Sequence, residues 1–152
     1  MYKIITKSSV LLASMVFMLF SGNVSAAQQT DDSLAEYKLV LQISDDDPKT
    51  QARVLNVAKN IRKAYGHSNI DVEIVAFGPG LKLLFAKNKN KDRIAGMALG
   101  GVNFTACSNT IAGMTKKMGH APVLNESSIK LKAPGVKRIM ELVAKGYTLV
   151  RP

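Results

Sequence analysis

Short runs of buried-type residues alternate along this chain with stretches of helical periodicity. Tyr37 to Ile43 is apolar enough to read as a strand covered on both faces. Asp47 and Pro48 then supply an N-cap and a first helical residue. Val54, Leu55, Val57, Ala58, Ile61 and Tyr65 recur at helical spacing up to Gly66. Val72 to Phe77, preceded by Ile70-Asp71, is a second strand, broken by Gly78-Pro79-Gly80. Leu81 to Ala86 predicts a short helix, and Asp92 caps another through Ile94, Met97, Ala98 and Leu99, ending at Gly100-Gly101. Val102 to Ala106 is a third strand, followed by a helix from about Asn109 to Met118 that stops at Gly119. Ala121 to Leu124 reads as a short fourth strand. Pro134 and Gly135 open a helix with Val136, Ile139, Met140 and Val143 on one face, and Tyr147 to Val150 is a last strand.

Strands alternating with helices predict one α/β domain over residues 37–152, with helices layered on a mostly parallel sheet of about five strands. In such sheets ligands gather outside the carboxyl ends of the strands. Those ends are Ser44–Asp47, Gly78–Gly80 and Cys107–Thr110, so three separate stretches converge on one edge.

Ahead of this domain the pattern changes. Lys3 and Lys7 precede an apolar run from Val10 to Phe20, and Val24-Ser25-Ala26 supplies small residues. That order predicts a signal peptide over residues 1–26, cleaved after Ala26, and a periplasmic protein with no membrane span after cleavage. Residues 27–36 are polar and predict a flexible N-terminal segment.

Charge is unevenly spread. Residues 48–152 carry 18 Lys and Arg against five Asp and Glu, whereas residues 27–47 carry six acids and one base. A basic body attracts anions in general, and nothing in its pattern points to a specific nucleic acid. Asp45, Asp46 and Asp47 precede no glycine-containing calcium loop and fit a helix N-terminus better. The two histidines, His67 and His120, stand far apart and no Cys-x-x-Cys is present, so no metal site is expected. Nucleotide-binding glycine motifs are absent and no cofactor is expected.

Cys107 is the only cysteine. It stands between the third strand and its helix, with Ser108, Asn109 and Thr110 offered as cap residues. Free N–H groups at a helix N-terminus favour thiolate over thiol, so the sulfur is a candidate nucleophile. Two other readings stay open. Free cysteine is often a small buried core residue, and His120 is available on composition for a Cys/His dyad.

The run Gly101-Val102-Asn103-Phe104-Thr105-Ala106-Cys107-Ser108-Asn109-Thr110 resembles the cysteine motif of the DsrE/DsrF-like family of sulfur-relay proteins. The likeness extends to Val75 through Gly80 and to Ala133 through Pro152, in the family's order and spacing. It implies a three-layer α/β/α domain that assembles into homo- or hetero-oligomers, often trimers or hexamers, and a homo-oligomer is expected for this chain. It also implies sulfane sulfur carried as a persulfide on Cys107, taken from or given to a partner protein or a small sulfane-sulfur compound. Gly78, Pro79 and Gly80 would form the pocket floor, and Ser108, Asn109 and Thr110 would flank the sulfur. The better-known members are cytoplasmic, whereas this chain reads as exported. The competing expectation is a homo-oligomeric binding module without enzymatic activity, its cysteine buried and inert.

Overall fold

The structure is a computed structural model that describes residues 34–152. The expected signal peptide and residues 27–33 lie outside the described residues. The elements run β1 (Tyr37–Ile43), α1 (Pro48–Tyr65), β2 (Ile70–Ala76), a 3₁₀ helix (Gly78–Leu84), α2 (Lys91–Leu99), β3 (Val102–Ala106), α3 (Ser108–Met118), β4 (Ser128–Lys130), α4 (Gly135–Ala144) and β5 (Thr148–Val150). The five strands form one sheet in the order β4-β3-β2-β1-β5, parallel at every pairing.

This order decides which face each helix covers. From β1 to β4 the chain steps one strand at a time toward the same edge, then returns across the sheet to lay β5 beside β1. Crossovers between parallel strands are right-handed. The helices of the first three steps therefore share one face, and α4, on the return crossover, takes the other. The core divides accordingly. Leu41, Ile43, Ile74, Ala76 and Phe104 pack with Val54 and Leu55 of α1, Ile94 of α2 and Leu81 and Leu84 of the 3₁₀ helix. Val40 and Val75, of opposite parity on the strands, pack with Ile139 and Leu142 of α4 and with Tyr147. The three-layer α/β/α arrangement is as expected.

Local details follow the chemistry of single residues. Asp47 caps α1, its Oδ2 accepting from the Thr50 N–H at 2.8 Å, and Pro48 opens the helix. Among the other two acids of that run, Asp46 pairs with Lys82 at 2.6 Å and Asp45 with Arg151 at 3.0 Å. The buried Arg62 guanidinium donates to the carbonyls of His67 and Gly100, tying the end of α1 to the end of α2.

Four expectations need correction. The short helix expected over Leu81–Ala86 is a 3₁₀ helix beginning at Gly78, because Gly78 (φ +54°) turns the chain and Pro79 starts the coil at once. The fourth strand is not Ala121–Leu124. Leu124 makes an isolated antiparallel bridge to Phe85, and the sheet takes Ser128–Lys130 instead. The helix expected from Asp92 is capped at Asn90 and starts at Lys91, leaving Asp92 inside its first turn. In α4 the buried side is Gly135, Ile139 and Leu142, so Val136, Met140 and Val143 are exposed.

Candidate functional site around Cys107

Cys107 closes β3 and opens α3. Its N–H donates to the Ala76 carbonyl at 3.1 Å, the last rung between β3 and β2, and its own carbonyl accepts from the Ile111 N–H at 3.0 Å. It is therefore the N-cap itself, where the sequence offered Ser108, Asn109 or Thr110. Period-two alternation puts its side chain on the α4 face with Thr105, opposite Phe104 and Ala106. There it meets the start of α4, and the Gly135 N–H donates to Sγ at 3.1 Å.

Gly135 is glycine for a steric reason. A Cβ built there would lie 3.1 Å from the Cys107 Cβ and 3.4 Å from side-chain atoms of Phe77 and Val75. Only a bare Cα lets the first N–H of α4 come this close. The sulfur thus lies against two helix N-termini, those of α3 and α4, which leave the sheet on opposite faces. In an open α/β sheet that divergence at the strand carboxyl ends, here between β3 and β4, is where ligand crevices form.

Electrostatics follow from this placement. The residue is only 4% exposed. Burial pushes the thiol up, but the Thr110 hydroxyl and the N–H groups of Thr110, Gly135 and Asn109 outweigh it, and the thiol lies below its ordinary value. Thr110 is also held from the other side, because its Oγ1 accepts from the Gly78 N–H at 2.8 Å. One hydroxyl thus joins the Gly78 turn to the sulfur.

The other expected site residues divide by role. Asn109 contributes its N–H to the thiolate and Ser108 is the first residue of α3. Gly80 is fully buried, its N–H on the Ser44 carbonyl at 2.9 Å, and a Cβ there would lie 2.5 Å from the Ile43 carbonyl oxygen. It holds the 3₁₀ helix against the end of β1 and touches no open space. Gly78, Pro79 and Thr110 line a cavity of about 470 Å³ together with Asp46, Phe85 and Met114. The three strand ends therefore converge as expected, but the cavity opens on the α3 face and Cys107 does not line it. His120 follows Gly119 at the far end of α3, roughly 16 Å along the helix from Cys107 at 1.5 Å per residue. It is exposed and forms no dyad with the thiol. Among the described residues, no group of three or more His, Cys, Asp or Glu side chains is placed to hold a metal ion.

A second polar cluster lies under α4. Glu73, 1% exposed in the middle of β2, accepts from the Thr105 hydroxyl at 2.7 Å. It also takes a bidentate pair from Arg138, Nε to Oε1 at 2.9 Å and Nη2 to Oε2 at 2.7 Å. Arg138 is one turn beyond Gly135, so this pair fixes α4 where its first N–H reaches the sulfur. Sequence reading passed over it, although an acid inside a buried strand demands a partner and an arginine on a covering helix is the natural one.

No protein-family profile matches the chain, and no curated protein is similar to it at a significant level. Among solved structures it is similar to MTH1491 from Methanobacterium thermoautotrophicum, a protein of unknown function. The two share 27% identity with a TM-score of 0.64, over 77% of this chain and all of that one. The likeness supports a shared α/β domain and assigns no activity.

Proposed function

We propose that this protein is a periplasmic, DsrE-like sulfur carrier that holds sulfane sulfur as a persulfide on Cys107. The observation that carries the reading is the thiol's place between two helix N-termini, with the Gly135 N–H at 3.1 Å and a lowered pKa despite burial. In loading, the Cys107 thiolate attacks the terminal sulfur of a persulfide or thiosulfonate. A new S–S bond forms as the donor's bond to that sulfur breaks, and the donor leaves with the electron pair as thiolate or sulfinate. An acceptor thiolate removes the sulfur by the same displacement, returning Cys107 as thiolate. The donors that favour the thiolate serve equally as a resting place for the anionic persulfide. Carriage needs no metal or cofactor, and the acceptor belongs to a partner. The exposed Val136, Met140 and Val143 on α4 support assembly with further copies of the chain.

The chain from Ala27 on, incubated with a thiosulfonate and weighed intact, is expected to gain one sulfur atom that dithiothreitol removes. Cys107→Ser is expected to gain none. No gain on wild type, or an equal gain on the serine variant, refutes the carrier reading. One observation favours a second reading, an oligomeric binding module with an inert cysteine, and that is the 4% exposure of Cys107. On that reading, alkylation occurs only after the chain is unfolded.

A further inference from the structure

The 470 Å³ cavity on the α3 face is not needed by the sulfur chemistry, and its size lies within the roughly 300–1,000 Å³ of small-molecule sites. Its walls are apolar, formed by Pro79, Phe85, Met114 and Met118. Methionine side chains adapt to the shape of an occupant. Two ammonium groups, Lys82 and Lys117, stand among the lining residues with one carboxylate, Asp46. That carboxylate is engaged by Lys82 at 2.6 Å, and Lys117 makes no ion pair among the described residues. An apolar chamber with one uncompensated cation at its edge is complementary to an amphipathic anion.

The wall contributed by α3 has a particular composition. Thr110, Gly113, Met114 and Lys117 form one stripe at i, i+3, i+4 and i+7. No residue of α3 is fully buried, and the helix meets the core only through the partly buried Ile111 and Met114. Gly113 lies inside the helix, where glycine is less favourable than alanine. A Cβ on it would meet nothing within 4 Å, so packing does not require the glycine. Its effect is to leave the cavity open beside Lys117.

We infer that this cavity binds an aliphatic carboxylate of medium chain length, with the hydrocarbon against Phe85, Met114 and Met118 and the carboxylate at Lys117. The site shares Thr110 with the surroundings of the thiol, but Cys107 itself does not line it, and it stands whether or not Cys107 carries sulfur.

Calorimetric titration of the chain from Ala27 on, which contains the whole described fold, tests this with decanoate and, as an uncharged control, decanol. Saturable binding of decanoate is expected, with decanol at least tenfold weaker. Gly113→Leu, which fills open space and favours the helix, is expected to abolish binding while leaving circular dichroism unchanged. Lys117→Gln, at an exposed position, is expected to weaken decanoate by about tenfold or more, the scale of a lost charge-assisted hydrogen bond, and leave decanol unaffected. Equal affinity for decanoate and decanol, undiminished binding by Gly113→Leu, or no binding to wild type overturns the inference. Cys107→Ser is expected to bind decanoate like wild type, which separates this site from the sulfur chemistry.

Discussion

At the residue scale, the thiol of Cys107 is a balance of opposing terms. Burial alone would raise its titration above the ordinary value, and the donors around it reverse the sign. The Thr110 hydroxyl is the largest of these favourable contributors, so its removal tests the balance. In Thr110→Val the thiol is expected to titrate at higher pH, and alkylation by iodoacetamide at neutral pH should slow in proportion to the lost thiolate. The variant also leaves the Gly78 N–H without its acceptor, at a stability cost of about 1 kcal/mol or more. Thr110→Ser keeps the hydroxyl and should restore both. The pH midpoint of alkylation for the three proteins checks the prediction, and an unchanged midpoint in Thr110→Val would remove Thr110 from the site. Part of this was legible from sequence, because a lone cysteine at a strand-to-helix junction can be read from alternation and cap residues. Gly135 was not, because its contribution is a backbone N–H from a helix 28 residues away.

At the element scale, β1, α1, β2, β3 and α3 were legible because each carries a strong period of its own. The failures fall where tertiary context overrides that signal. β4 is a three-residue edge strand, Ser-Ile-Lys, with too little apolar content to announce itself, whereas Ala121–Leu124 looked strand-like and found a different partner in Phe85. α4 has apolar residues on two sides, so periodicity alone did not say which side meets the sheet. The deciding contact is polar. Glu73 in the sheet selects the side of α4 that carries Arg138, and Gly135 and Ile139 are buried with it. Removing one partner strands a buried charge, at a cost of about 3–5 kcal/mol. Arg138→Met is therefore expected to lose about that much stability in urea denaturation. In the protein that remains folded, the Cys107 alkylation midpoint should rise, because the start of α4 is no longer held against the sulfur. Replacing both partners, Glu73→Leu with Arg138→Met, should recover much of the stability without restoring the midpoint. A midpoint that returned along with the stability would show that the pair does not position the Gly135 N–H.

At the scale of the whole molecule, the topology leaves the two faces of the sheet unequal. Three steps in one direction load the first face with α1, α2, α3 and the 3₁₀ helix, and among the described residues the single return crossover leaves α4 alone on the second. One helix cannot cover five strands, and beside the exposed Lys137–Glu141 pair it presents three apolar residues outward: Val136 is 55% exposed, Met140 68% and Val143 46%. Leu149 and Val150 of the edge strand β5 are exposed as well. Scattered surface apolar residues need no explanation, but three at helical spacing form a stripe, and burying such a stripe against another copy is worth about 25 cal/mol per Å². The thiol lies at the N-terminal end of the same helix, so assembly through α4 would bring neighbouring copies close to the sulfur and limit its access to solvent. Met140→Glu places a charge in the centre of the stripe without touching the core, and it should reduce the assembly to a monomer in sedimentation velocity while circular dichroism is unchanged. Cys107 should then alkylate faster, because a shielding neighbour has been removed. A wild-type chain already monomeric at high concentration would reject the stripe as an interface, and the slow access expected of a buried thiol would belong to the fold of the single chain.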